Sequence, residues 1–65
     1  MFHVTVIDKE CDAIMLTRSL QFLPRIGEQM IIRKKVYDIC NIMYDLVNGT
    51  TSYVNVDIYL IQTKQ

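Results

Sequence analysis

The stretch "KVYDICNIMYDLV", residues 35–47, decides the fold. Its pattern predicts one long strand in which the apolar residues change from odd to even positions halfway along. Its β-branched and aromatic side chains are typical of strands. The apolar residues of its two halves differ in parity: Tyr37 and Ile39, then Ile42, Tyr44 and Leu46. One inserted residue near Cys40–Asn41, a β-bulge, keeps both sets on one face. A bulge also bends a strand, which predicts a sheet that curls towards a barrel.

Shorter strand patterns lie on both sides of this stretch. Before it, "QMIIR" (29–33) is rich in β-branched residues, and after it "NGTTS" (48–52) is typical of a turn. In "YVNVDIYLI" (53–61) the apolar residues alternate with polar ones, which indicates a strand with one buried face. At the other end, "FHVTVI" (2–7) alternates in the same way, and "DKECD" (8–12) predicts a polar turn.

Residues 13–22, "AIMLTRSLQF", fit two structures. As a strand, the segment directs four apolar side chains inward with Arg18 interrupting them: Ile14, Leu16, Leu20 and Phe22. As a helix, it is capped by Asp12 and carries a different stripe: Ala13, Leu16, Leu20 and Leu23. We favour the strand, because a strand can enter the following proline without a cap. The prediction is therefore an all-β, small five-stranded, partly open barrel, with an α+β fold as the alternative if residues 13–22 are helical.

The segment "FLPRIGE", residues 22–28, holds the only proline of the chain and one of its two glycines. Pro24 cannot donate a backbone hydrogen bond and favours extended geometry at the residue before it. Gly27 can adopt the positive φ that turns require. Glu28 can accept hydrogen bonds from turn amides or pair with Arg25. Together these residues predict a tight reversal between two apolar strands.

The succession "LPRIGEQMII", "KVYDICNIMYDL" and "YVNVDIYL" resembles small SH3-like β-barrels of bacterial and phage genomes. In that family a P-x-x-G-E turn precedes an apolar strand, a bent strand and a short final strand; Pro24–Glu28 matches the turn, and Tyr37, Ile39 and Ile42 match the bent strand. The resemblance covers about residues 20–62 and implies a fold, since many such proteins have no assigned function. The sequence departs from the usual size of the family by being near the minimum, so we expect no N-terminal extension or added helix.

Length and charge limit the classes of protein to consider. Sixty-five residues predict one domain, 1–65, close to the lower size at which a single core is stable. A hydrophobic content of 51% leaves apolar surface that self-association can cover, so we expect a homo-oligomer.

Seven basic and seven acidic residues give no net charge to attract nucleic acid or membranes. The first residues are not those of a signal peptide, and the chain has no apolar run of membrane-spanning length, so we expect a cytoplasmic protein without membrane association.

The residues that carry chemistry do not combine into a catalytic or metal site. His3 is the only histidine and lies on the polar side of its strand pattern. Cys11 lies among acidic residues, whereas a reactive thiol needs an electropositive setting; Cys40 fits a small core residue. The acidic residues 8, 10 and 12 lack the glycine and oxygen spacing of a calcium loop. We therefore expect no enzyme activity, no metal and no cofactor.

Two kinds of binding function remain. By parity Tyr53, Tyr59 and Ile61 lie opposite the core face of their strand, which favours a protein interface. This predicts a small protein-interaction module that self-associates and acts as an adaptor, inhibitor or structural subunit, with a phage or bacterial origin fitting its size. The alternative is a binder of a phosphate-bearing ligand, a small nucleotide or a nucleic acid, in which tyrosines stack on bases. Its basic residues are Arg25, Arg33, Lys34 and Lys35.

Overall fold

The computed structural model describes residues 2–45 and 54–63, and within them every regular element is a strand. The five strands, in chain order, are β1 (Phe2–Asp8), β2 (Ala13–Leu20), β3 (Gln29–Ile32), β4 (Lys35–Asp45) and β5 (Val54–Gln62). They form one sheet in the order β2-β1-β5-β4-β3, curled into a half-barrel. The all-β prediction and the strand at residues 13–20 are confirmed, and the helical alternative is wrong.

The sheet consists of two antiparallel hairpins, β1–β2 and β3–β4, and β5 lies between them. β1 pairs with β2, and β4 pairs with both β3 and β5, all antiparallel. β1 and β5 run parallel, with Val4 opposite Val56 and Val6 opposite Ile58. β5 is therefore the central strand, with β1 and β4 on its two sides, and β2 and β3 form the two edges of the sheet.

The core lies on the concave face of the half-barrel. Its centre is made by inward residues of the parallel pair, and Ile58 and Leu60 are completely buried. The other strands add the remaining buried side chains: Val4, Val6, Ile32, Tyr37, Ile39 and Val56. No polar side chain is buried among the described residues. The strict alternation of β5 therefore follows from having one face against this core and the other away from it.

The predicted bulge in β4 is present. Ile39 pairs with Leu60 and Asn41 with Tyr59, so Cys40 is the extra residue between them. The Cys40 thiol instead donates to the backbone carbonyl of Tyr59, at 3.2 Å. After the bulge, Ile42 pairs with the buried Ile58, so the two parities of this strand do share the core face.

A second bulge, in β2, overturns part of the predicted inward face. Leu16 pairs with Val6 but Ile14 pairs with Ile7, which makes Met15 the extra residue. The phase change leaves Leu16 and Leu20 towards the core and turns Ile14 to the convex face, where it is 66% exposed. Phe22 lies beyond the end of the strand and is 84% exposed. The inward placement of Ile14 and Phe22 was therefore wrong.

The segment between β2 and β3 connects the two edges of the sheet instead of reversing between neighbouring strands. β2 and β3 are opposite edges, so the predicted tight reversal between two strands is wrong. The reversal is local: Glu28 N–H donates to Arg25 C=O at 3.1 Å, Gly27 has a φ of 95°, and the Glu28 carboxylate accepts from Arg25 N–H. Two backbone bonds join this turn to Ile39 of β4, at 2.9 and 3.0 Å. Leu23, earlier in the crossover, packs against the core.

Three predicted features fall outside the described residues: Leu46, the turn at 48–52, and Tyr53. The polar turn at 8–12 is present and contains an Asp8 side-chain bond to Glu10 N–H of 2.9 Å. Within residues 2–45 and 54–63 the structure contains no helix that could span a membrane.

Candidate interaction surfaces

Apolar side chains line up across three strands on the convex face. Ile7 of β1 pairs with Ile14 of β2 on one side and with Tyr59 of β5 on the other. Ile61 lies two residues beyond Tyr59 on the same face of β5. We call these four residues, Ile7, Ile14, Tyr59 and Ile61, the convex patch. Cross-strand neighbours of this kind lie about 5 Å apart, so the patch is continuous.

Tyr59 and Ile61 were predicted to be exposed on the face opposite the core. They do lie opposite Ile58 and Leu60, but both are half-buried. The sequence did not indicate Ile14 as a surface residue, because a regular strand directs it inward. The register around Met15 was needed to place Ile14 on the convex face.

The rest of the convex face is mostly polar. Thr5, Thr17, Ser19 and Asn55 border the patch towards one end of the sheet, together with His3. At the other side Asp38 accepts hydrogen bonds from the Gln29 amide, at 3.0 Å, and from the Thr63 hydroxyl, at 2.9 Å. The convex patch is therefore an apolar area with a polar border, the composition of protein interfaces.

A groove opens on the concave side between the two edge strands. β2 and β3, both fully described, have no Cα atoms within 8 Å of each other, so the half-barrel does not close. The resulting cavity has a volume of about 550 Å³ and its floor includes Val4 and Val6. Met15 and Leu16 line its β2 side, and Met30 and Ile32 line its β3 side. We call this cavity the edge groove.

Two arginines are the charged residues among those lining the edge groove. Arg18 pairs with the buried Val4, so its side chain starts on the concave face of β2. Arg33 follows β3 directly and lines the opposite side. Every other lining residue is apolar, which gives the groove a hydrophobic floor and a cationic border.

The basic run Arg33–Lys35 forms the turn between β3 and β4. Ile32 pairs with Lys35, so the loop has two residues, and these have φ values of 53° (Arg33) and 67° (Lys34). Positive φ at both positions is the geometry of a type I′ turn, which favours asparagine and glycine. This turn therefore carries backbone strain together with its positive charge.

Replacing the two central residues by the favoured pair is expected to stabilise the protein. Arg33→Asn with Lys34→Gly should raise the free energy of unfolding by roughly 1–2 kcal/mol, because left-handed geometry costs other residues about that much. Urea denaturation followed by circular dichroism measures the change. Arg33→Gln with Lys34→Gln removes the same charges and keeps the strain, so it should show little change; an equal gain in both variants would assign the effect to charge.

The structure does not bring the four predicted phosphate-binding residues together. Arg25 lies in the crossover turn, which bonds to Ile39. Lys35 is four residues earlier on β4, about 13 Å away along the strand. Tyr37 is buried, and Tyr44 and Tyr59 pair with residues still farther from the basic turn. Among the described tyrosines, none is therefore placed to stack on a base held at this turn.

The two cysteines are both free thiols. Cys11 is exposed in the turn after β1, and Cys40 is half-buried at the β4 bulge; neither forms a disulfide. In the described part of the chain, no group of three or more acidic, cysteine or histidine side chains is arranged to hold a metal ion.

Neither a protein-family model, nor a curated protein, nor a solved structure matches this chain. Its candidate sites therefore rest on its own geometry.

Proposed function

We propose that this protein is a small, non-enzymatic interaction module that self-associates through the convex patch. The row Ile14–Ile7–Tyr59 carries the proposal, because it places large apolar side chains side by side on the face that the core does not use. Such a module acts by occupying a surface, as an adaptor, an inhibitor or a structural subunit. The SH3-like resemblance and a phage or bacterial origin remain part of this proposal.

The small size of the protein supports the same conclusion. A domain of 65 residues buries only about 60% of its unfolded surface, and contacts between copies add to that burial. Two copies related by a two-fold axis can place Tyr59 of one copy against Ile14 or Ile61 of the other. The polar residues that border the patch then remain solvated as a rim.

The test is the oligomeric state of two charge-introducing variants. Ile14→Glu and Tyr59→Glu should each convert an oligomer into a monomer, because an ionised carboxylate inside an apolar interface loses its hydration. Ile14 is 66% exposed, so its replacement is expected to leave the fold intact. Size-exclusion chromatography with light scattering measures the mass, and circular dichroism checks the fold.

Ser19→Glu is the matched control, since Ser19 is exposed on the same strand and on the same face as Ile14. It lies about 13 Å from the patch along the sheet, and its variant should assemble like the wild type. A wild type that is monomeric at tens of micromolar, or equal assembly of all three variants, would exclude the convex patch as the interface.

A second candidate function is binding of a phosphate-bearing ligand at the basic turn. The observation that favours it is the presence of Arg33 and Lys34 at positions where their backbone is strained, since strain of this kind often accompanies function. Inorganic tripolyphosphate should then bind with an affinity that falls with salt and with Lys34→Ala/Lys35→Ala. Binding that is indifferent to both changes would contradict it.

A further inference from the structure

We infer that the edge groove binds one extended peptide segment of a partner protein, which carries apolar residues and an acidic residue on its inward face. The segment acts as a sixth strand between β2 and β3. The groove lies on the concave side of the sheet, so this proposal is independent of self-association through the convex patch.

The first argument is the separation of the two edges. Directly paired strands lie about 4.8 Å apart, and a strand inserted between two others therefore needs edges roughly 10 Å apart. The Cα atoms of β2 and β3 are more than 8 Å apart, which excludes direct pairing, and a cavity of about 550 Å³ lies between the two edges. Both edges present backbone N–H and C=O groups in the plane of the sheet, as strand addition requires.

The second argument is the chemistry of the lining. Met15, Leu16 and Leu20 on one side and Met30 and Ile32 on the other provide apolar contacts for alternate side chains of an inserted strand. Methionine adapts well to side chains of different shape. An apolar side chain placed in this groove completes a core that is otherwise open to solvent.

The third argument is charge. Arg18 points inward on an edge strand, and a cation in that position discourages pairing with an apolar strand. Arg33 adds a second cation across the groove. A carboxylate on the inserted segment pairs with these two arginines. The groove therefore favours a segment with an acidic residue over a purely apolar one. A second copy of this chain is a poor occupant through its own β2, because that edge carries the same arginine.

The probe is a blocked synthetic peptide, Thr-Val-Thr-Glu-Thr-Val-Thr, which directs Val, Glu and Val to one face when extended. The reporter is the methyl group of each methionine, labelled with ¹³C for NMR. Met15 and Met30 line the two sides of the edge groove, whereas Met43 lies 53% exposed on the other face of the sheet. Binding in the groove should shift the Met15 and Met30 signals and leave the Met43 signal unchanged.

Affinities for variants of both partners test the charge argument. Glu→Gln in the peptide, or Arg18→Gln in the protein, should each weaken binding about tenfold. The two changes together should lower the affinity no more than either change alone, because both remove the same ion pair between Arg18 and the peptide glutamate. Arg18 is exposed, so its replacement is expected to leave the fold intact.

Backbone pairing is tested with a peptide N-methylated at alternate residues, which removes the donors along one of its edges. Binding should fall more than tenfold with each of the two possible N-methylation patterns, because an inserted strand donates to both β2 and β3. Undiminished binding of either methylated peptide, or equal affinity of the Glu and Gln peptides, would overturn the proposal.

Dodecanoate tests an alternative occupant of the edge groove. Saturable shifts of the Met15 and Met30 signals with dodecanoate, and none with the peptide, would overturn the proposal and assign the groove to an anionic lipid.

Discussion

Ile58→Ala is expected to leave the protein largely unfolded at 25 °C. Ile58 has no exposed surface. It lies in β5, the strand that joins the β1–β2 hairpin to the β3–β4 hairpin. Removing a buried isoleucine side chain down to alanine costs about 2–5 kcal/mol. A core of this size seldom supplies more than about 3–5 kcal/mol in total. The loss is therefore comparable to the whole stability, and far-ultraviolet circular dichroism in a urea series measures it.

Two further variants make this result interpretable. Ile58→Val removes one methyl group and should keep the fold at a cost of about 0.5–1.5 kcal/mol. Ile31→Ala is the control with the same starting residue, because Ile31 is 74% exposed and should change stability by no more than about 0.5 kcal/mol. Equal losses for Ile58→Ala and Ile31→Ala would contradict the core described above.

Gly27→Val is expected to destabilise the protein by about 1–3 kcal/mol. Gly27 has a φ of 95°, a region that a β-branched residue adopts only with strain. A Cβ atom at this position meets no other atom within 4 Å, so the cost comes from the backbone and not from a clash. Thermal unfolding followed by circular dichroism measures the difference in stability.

A series at this position separates strain from other effects. Gly27→Asn should cost less than Gly27→Ala, and Gly27→Ala less than Gly27→Val, because asparagine tolerates positive φ best among these side chains. The opposite order, which follows strand propensity, would show that residue 27 does not have this turn geometry in solution.

The strands and one of the two bulges could be predicted because each leaves a local pattern. In β4 the apolar residues change parity, and a single inserted residue explains the change. In β2, Ile14 and Met15 are both apolar, so the pattern does not reveal which of them faces the core. The order of strands was beyond prediction for a related reason: alternation gives the faces of a strand but not its neighbours. The crossover from β2 to β3 and the parallel pairing of β1 with β5 therefore appeared only in the structure.

The candidate sites also contain some residues that a single strand pattern predicts and others that only the pairing of strands brings together. The parity of β5 placed Tyr59 and Ile61 on the face away from the core, and the structure agrees. Ile7 and Ile14 complete the convex patch through pairing between strands, which no single segment contains. The edge groove depends on how far the sheet curls, and Arg18, which interrupted an apolar pattern in the sequence, borders it. Arg25 and the basic turn look like one cluster in the sequence but lie at opposite ends of a hairpin.

The central position of β5 has a consequence for the order in which the chain can fold during synthesis. The β1–β2 and β3–β4 hairpins emerge from the ribosome first, yet they share no pairing with each other. Each exposes half of an unfinished core until Val54–Gln62 arrives and joins them. Contacts between β1 and β5 also span nearly the whole chain, and such long-range pairing slows folding. The nascent protein therefore passes through a stage in which two separate hairpins with apolar faces must avoid aggregation.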